Sequence, residues 1–493
     1  MAGITKPQQK NSIYIINETH PLSFLDTVPS QILYLAQNRL TQKGSPMKIH
    51  KLLKLAVLSA CLLTVTGCGK KEKDVPVLTE TTDISDENAI NNTENTGATG
   101  DNTEITSEEP ADPPYMAPAT DVGGIELTDE ILEKGILNPG NPDRLKKAME
   151  RAAKGEPLTI AYIGGSITQG SNASSQNKCY AYLSHLWFKE TFPNSEITYI
   201  NAGIGGTDSW LGIHRVDEDV IQYKPDIVIV EYSVNDGNTL NKETYDSLLR
   251  HLLESDSEPA VLALLLAHEN GSFAKEHAPI AFKYHVPIIS YSALLSNKLV
   301  SWSSVGDTDG VHPKDSGHQL ISYLLTSYFR NVMSGVYDDV TSPYEVPDLK
   351  ESSTKCRYDS SKILYSDEFF RYEAEYFTAD GVWSMLSNKN GWSTTSAGSF
   401  AFQIKASEIG IIYMQTNKAP EKNDIVYEVY LDNEPVGRIK GYDANTWGQH
   451  LEYFQVYLDD TPSVHYILLK PSEDSTGTDF TIMGIGATGY SEP

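Results

Sequence analysis

Four short motifs in this chain of 493 residues carry side chains suited to acyl transfer, and each follows a strand-like run. The apolar run 158–163 stops at Gly164-Gly165-Ser166-Ile167-Thr168. Paired glycines after a buried strand put the next side chain on a tight strand-to-helix turn, where a hydroxyl lies beside unpaired backbone N–H groups. Asn201-Ala-Gly-Ile-Gly205-Gly206-Thr207-Asp208-Ser209 and Tyr232-Ser233-Val234-Asn235-Asp236-Gly237 end the second and third runs, and Asp309-Gly310-Val311-His312-Pro313 follows the fifth. A serine hydroxyl such as that of Ser166 is a weak nucleophile until a base takes its proton. Histidine has the resting basicity for that duty and can return the proton to a leaving alcohol, which makes His312 the candidate base. Asp309, three residues earlier, can accept the other imidazole N–H and fix the tautomer. The backbone N–H groups of Ser166 and Gly206 and the side-chain amide of Asn235 are candidate donors to an oxyanion.

Taken singly, each motif has a plainer reading. The first can be a helix cap, Gly205-Gly206 and Asn235-Asp236-Gly237 can be turns, and Asp-X-X-His can start a helix before Pro313. Complementary roles at successive strand ends favour catalysis over four unrelated turns. The elements that must position them are strands near 158–163, 197–200, 227–232, 260–267 and 286–290, alternating with helices near 180–192, 242–254 and 273–284. A helix near 142–154 precedes them and one near 316–333 closes the unit. That alternation predicts a mostly parallel sheet covered on both faces, with reactive groups at the carboxyl ends of the strands.

The set resembles the SGNH, or GDSL-type, hydrolase family over roughly residues 157–333. Gly165 stands where the family's first block has Asp, Gly206 matches the second block, and Ser233-Val234-Asn235-Asp236 matches Gly-X-Asn-Asp with serine first. Asp309 to His312 matches the last block, Asp-X-X-His. The resemblance implies a flavodoxin-like three-layer α/β/α domain and a serine esterase needing no metal or organic cofactor. His268, Glu269 and His277 lack a complete ligand spacing, so no metal site is expected there; His268 and Glu269 keep an open role in substrate contact. His318 reads as a packing or capping residue. Asp208 and Trp210 are placed as possible pocket lining.

Beyond residue 335 the texture changes. Alternating stretches at 399–405, 411–416, 425–431, 451–458, 464–470 and 480–485 are divided by Gly, Asp and Pro, and predict a C-terminal all-β jelly-roll-like sandwich. Its Trp383, Trp392, Tyr413 and Trp447 could stack on sugar rings; filling the sandwich core or the domain interface is the simpler expectation.

A net charge of −27, with no Lys/Arg cluster outside the leader, argues against nucleic acid as a partner. The basic segment 47–54 and the apolar run 55–66 have a signal-peptide layout too short to span a bilayer. It ends in Val65-Thr66-Gly67-Cys68, resembling a bacterial lipobox with Cys68 the lipidated residue. Translation is accordingly expected to start at Met47, with residues 1–46 an extension. Residues 69–122 hold 13 acidic residues, three lysines and one aromatic, Tyr115. Such a segment cannot bury enough apolar surface to order itself and reads as a disordered acidic tether. Cys179 and Cys356 could form a disulfide, although distant single cysteines are more often unpaired core thiols.

The expected organisation is therefore a leader to Cys68, a tether to 122, a hydrolase domain at 123–335, a linker at 336–361 and a β domain at 362–493. The expected function is hydrolysis of small acyl esters, acetyl foremost, on carbohydrate at the surface of the cell, with membrane attachment through Cys68. The alternatives are a lysophospholipase or thioesterase, and a non-catalytic surface carbohydrate-binding protein.

Overall fold

The computed structural model describes residues 121–122, 124–340, 354–368, 372–382 and 389–492. The leader, Cys68, nearly all of the acidic tether and Trp383 lie outside the described residues. The first strand, β1 (Asp121–Val122), falls at the very end of the segment read as tether and pairs antiparallel with β2 (Ile125–Glu126).

The hydrolase domain is built on a six-stranded sheet. Its strands are β3 (Ile136–Asn138), β4 (Leu158–Gly164), β5 (Ile197–Gly203), β6 (Ile227–Glu231), β7 (Ala260–Leu265) and β8 (Ile288–Ser290), ordered β3-β8-β7-β6-β4-β5. From β8 to β5 every pairing is parallel; only β3, on the edge, is antiparallel. Strands β4 to β8 thus have the doubly wound order 2-1-3-4-5, which reverses direction at β4 and opens a crevice beside β6 there. The strands β4, β6 and β7 are near-continuous Ile, Val, Leu and Ala because helices cover both faces. One face packs on helices Asp143–Ala153, Tyr180–Thr191 and Asp315–Met333, the other on Ser209–Asp219, Thr239–Glu254 and Ala274–Lys283.

Register decides where the motifs meet. Gly164 pairs with Gly203 on β5 and with Glu231 on β6, so three strands end level with one another. Ser166, Gly206 and Asn235 lie two, three and four residues beyond those ends, and the loops carrying them leave the sheet side by side.

The C-terminal domain is an antiparallel all-β sandwich. Its strands are β9 (Ser361–Leu364), β10 (Tyr372–Ala374), β11 (Thr378–Val382), β12 (Asn390–Thr394), β13 (Phe400–Gln415), β14 (Val426–Leu431), β15 (Glu434–Lys440), β16 (His450–Pro471) and β17 (Phe480–Thr488). The stretches expected at 399–405 and 411–416 are one strand, β13, and those at 451–458 and 464–470 are one strand, β16. Between the pairs Glu408↔Leu458 and Ala406↔Ser463, β16 carries residues 459–462 against the single Ser407. The turn-forming Asp459-Asp460-Thr461-Pro462 is a bulge within a continuous strand, not a break between two. Trp392 and Tyr413 are buried in this domain's core, as expected of core rings. Cys179 and Cys356 are both buried and are not disulfide-bonded.

Candidate active site

The four motifs converge at the carboxyl ends of β4, β5 and β6. Ser166 heads the four-residue helix Ser166–Gln169, which ends at Gly170 with φ 104°. A first-turn residue has no helical partner for its N–H, so the Ser166 N–H points outward beside its own hydroxyl. The Oγ lies 2.8 Å from His312 Nε2, and His312 Nδ1 lies 2.7 Å from Asp309 Oδ2. The other oxygen of Asp309 accepts the backbone N–H groups of Val311 and His312 at 2.8 and 3.0 Å. Burial alone would raise the Asp309 carboxyl. The His312 N–H, the imidazole and the Val311 N–H outweigh it and hold the group down at about 2. Asp309 is therefore an anion across the working pH range, able to keep the proton on Nδ1 and leave Nε2 facing Ser166 as an acceptor. Ser166 is 9% exposed, while the His312 and Asp309 side chains are 22% and 40% exposed, so the three lie at the surface end of the crevice.

The second loop is fixed from below. Ile204 N–H donates to Gly164 O, Gly205 N–H to Gln169 Oε1 at 2.9 Å, and Asn201 Nδ2 to Thr168 O at 2.9 Å. Gly206 adopts φ +76°, a left-handed conformation that glycine takes freely. Gly203 needs glycine for space: a Cβ there would lie 2.2 Å from Gln169 N. Among the described residues none accepts a hydrogen bond from Gly206 N–H or from the Asn235 amide. Both donors are thus free to meet a charge that develops beside Ser166 Oγ.

The departures from the family pattern have local causes. A Cβ on Gly165 would stand 2.8 Å from Asn235 Oδ1, so an aspartate here would displace the Asn235 side chain. Ser233 joins strand ends instead: its Oγ donates to Leu266 O and accepts Leu266 N–H.

Behind the donors lies a buried polar layer. Asp236 Oδ1 accepts Ser209 N–H at 2.8 Å and Oδ2 lies 2.9 Å from His277 Nε2, whose ring stacks on Tyr245. Burial pushes Asp236 up to about 8 and His277 down to about 3, so this pair carries no net charge at neutral pH. Burial and the nearby Asp236 raise Glu231 to about 8 and Asp208 to about 6.

Two sequence expectations need correction. Trp210 lines no pocket: it is fully buried under the β domain, stacked on Tyr453 at 4.0 Å, with Nε1–H donating to Glu408. Asp208 caps the helix Ser209–Asp219 and accepts Asn241 Nδ2 and Tyr453 OH. Trp447 takes the domain-interface place rather than the core: its indole edge packs against Gly205 and Gly206, and it stays 65% exposed. His318 is buried and joins the Tyr180 N–H to Ser171 O, while Glu269 N–H braces the His312 loop at Gly310 O. His268, Glu269 and His277 do not converge, and among the described residues no group of three or more such side chains is placed to hold a metal ion. Gln169, Tyr453 and Asn172, all in contact with the motif loops, were not singled out by the sequence, and Asn201, which opens the second motif, was given no role there; Gln169 lies one residue past the first motif.

Residues 162–320 match the model of the GDSL-like lipase/acylhydrolase family. The chain is 24% identical over 182 residues, 35% of its length and 82% of the relative's, to thioesterase 1/protease 1/lysophospholipase L1 of Escherichia coli. Among solved structures, a two-domain esterase (CEX) active on acetylated mannans is 30% identical, covering 73% of this chain and 99% of that one with a TM-score of 0.66. The same esterase co-crystallised with mannopentaose gives a TM-score of 0.65 at the same identity and coverage.

Proposed function

Because this chain belongs to the GDSL-like lipase/acylhydrolase, or SGNH, family and is a carboxylic ester hydrolase, we propose that it removes acetyl groups from polysaccharide by attack of Ser166. Ser166 Oγ adds to the acetyl carbonyl carbon as its proton passes to His312 Nε2. The carbonyl oxygen becomes an oxyanion held by the N–H groups of Ser166 and Gly206 and by the Asn235 amide. Collapse breaks the bond to the sugar oxygen, which leaves as a hydroxyl with the proton from His312. Water, deprotonated by the same imidazole, then attacks the acetyl-serine and releases acetate, restoring Ser166.

The observation that carries the carbohydrate reading is Trp447. A large, exposed aromatic face from the β domain stands against the glycine that supplies an oxyanion donor. It offers a stacking surface next to the reacting carbonyl, suited to a flat apolar sugar face. The two-domain esterase active on acetylated mannans supports mannan as the first polymer to try.

Acetate release from acetylated mannan and acetylated xylan, wild type against Ser166→Ala, tests this reading. Release from neither polymer rejects it. A nitrophenyl-ester profile with a medium- or long-chain optimum would favour the lysophospholipase or thioesterase alternative instead. Trp447→Ala is expected to lower kcat/KM on acetylated oligosaccharide about tenfold more than on a small-alcohol acetate. Export and lipidation at Cys68 are part of the proposal, carried by the leader and lipobox; incorporation of an alkyne fatty acid that Cys68→Ser abolishes is the expected result. Among the described residues no helix is long and apolar enough to cross a membrane.

A further inference from the structure

We propose that Asn172 is a positioning residue for the acid–base pair: its side-chain amide pins Asp309 and ties it to Asp307. Gly170 ends the nucleophile helix, and Ala173 N–H closes a turn on Gly170 O at 3.2 Å. Asn172 sits at the third position of that turn with φ 61°, a left-handed conformation that asparagine tolerates better than most residues. A turn asparagine with no further duty would leave its amide in water. Here Nδ2 donates to Asp309 Oδ2 at 2.9 Å and to Asp307 Oδ2 at 3.0 Å, on a loop more than 130 residues away in sequence.

The choice of oxygen is what matters. Asp309 Oδ1 is held by two backbone N–H groups of its own loop, and Oδ2 is the atom that receives His312 Nδ1–H. Asn172 is the group from outside the loop that fixes Oδ2. A segment of seven residues, Ser166 to Asn172, therefore carries the nucleophile and the tie that aligns its base with it. The amide also lies between two carboxylates that would otherwise repel.

Replacing that donor has an electrostatic consequence. The charged and titratable groups around His312 are Asp307 and Asp309 on its own loop, Glu269 beside Gly310, His318 behind it and Asp315 paired with Lys178. Asparagine adds no charge to this predominantly acidic surround. An aspartate at 172 would add a carboxylate against Asp307 and Asp309, favouring the imidazolium form of His312.

The inference rests on Asp309 orienting His312, so Asp309→Asn is measured alongside. Asn172→Gly removes the amide and accepts φ 61° without strain; Asn172→Asp keeps the shape and exchanges donor for acceptor. On nitrophenyl acetate, Asn172→Gly is expected to lower kcat about tenfold with KM changed less than about twofold. Asn172→Asp is expected to shift the acid limb of kcat/KM up by about one pH unit. A purely structural turn would lower thermal stability in both variants and leave that limb in place. If kcat stays within twofold and the limb does not move while Asp309→Asn is crippled, the role of Asn172 is refuted. If Asp309→Asn is itself fully active, the Ser-His-Asp reading falls with it.

Discussion

Ser166, His312 and Asp309 are not the only serine, histidine and aspartate in mutual contact. On the β domain Ser463 Oγ lies 2.7 Å from His465 Nε2, and His465 Nδ1 lies 3.0 Å from Asp432 Oδ2. Tyr466 N–H holds the other oxygen of Asp432, much as Val311 N–H holds Asp309. What separates the two sets is what surrounds the hydroxyl. Ser166 begins a helix and faces free donors on Gly206 and Asn235, whereas Ser463 lies within strand β16 and shares its hydroxyl with Tyr457 OH at 2.9 Å. A base without a site for the oxyanion activates an attack that has nowhere to place its charge. Ser166→Ala is accordingly expected to lose at least about a thousandfold in kcat/KM. An intact-mass experiment with a fluorophosphonate should show one adduct on the wild type and none on that variant; an adduct on Ser463 would contradict this.

At the scale of elements, the level ends of β4, β5 and β6 set the site, and close approach of β5 to the nucleophile helix keeps it tight. Gly203→Ala would drive a methyl into Gln169 N. Overpacking of this kind costs about 1–3 kcal/mol, and it acts on the helix bearing Ser166. The expected outcome is a kcat lowered at least about tenfold with the circular dichroism spectrum retained; normal kcat would show that the helix yields without moving Ser166. The buried carboxylates behind the donors give a second test. Glu231 and Asp236 are raised to about 8 and Asp208 to about 6, so between pH 5 and 8 the folded chain holds protons that the unfolded chain has released. The histidines buried neutral act in the opposite sense in the lower part of that window: His277 and His185, lowered to about 3 and about 4, take up protons on unfolding below about pH 6.5. Stability is therefore expected to fall as pH rises from about 7 to 8, where these histidines are neutral in both states, by roughly 5 °C in Tm. Asp309 and Asp315, lowered to about 2, act only below pH 4. A Tm that rises from pH 7 to 8 would contradict the assignment, and Asp236→Asn should flatten the slope.

Elements were also where sequence reading was strongest and where it slipped. The apolar runs of β4, β6 and β7 were legible because a parallel strand buried on both faces must be apolar throughout. The helix Ser209–Asp219 was missed because its His214 and Arg215 look solvent-facing. Both are buried, His214 against Glu408 and Arg215 against Tyr232 OH and Gly164 O. Edge strand β3 is three residues long and offers no period to detect.

At the scale of the whole molecule, the β domain is joined to the loop that carries Gly206. Tyr453 OH donates to Asp208 Oδ2 at 2.9 Å, and Asp208 caps the helix that leaves that loop. Glu408, 1% exposed, accepts Trp210 Nε1–H on one oxygen, and its other oxygen lies 3.0 Å from His214 Nε2 and accepts Thr488 Oγ1. Removing such a carboxylate strands several buried polar groups together. Glu408→Ala is expected to cost about 3–5 kcal/mol, read as a lower urea midpoint, with loss of esterase activity following the same transition. Activity that survives after the β domain has melted would show that the hydrolase domain keeps its donors in place alone.

The sequence by itself singled out the candidate hydroxyl, imidazole and carboxylate, which the structure brings within hydrogen-bond reach, and a parallel sheet to carry them. Those signals are local, since a turn after a strand needs particular residues within a few positions. Only the tertiary structure decided that Trp447 stands over Gly206, that Trp210 lies in an interface rather than a pocket, and that Asn172 reaches Asp309. Each of these joins segments more than a hundred residues apart, and such contacts are set by strand register and domain packing, which leave no spacing in the chain to read.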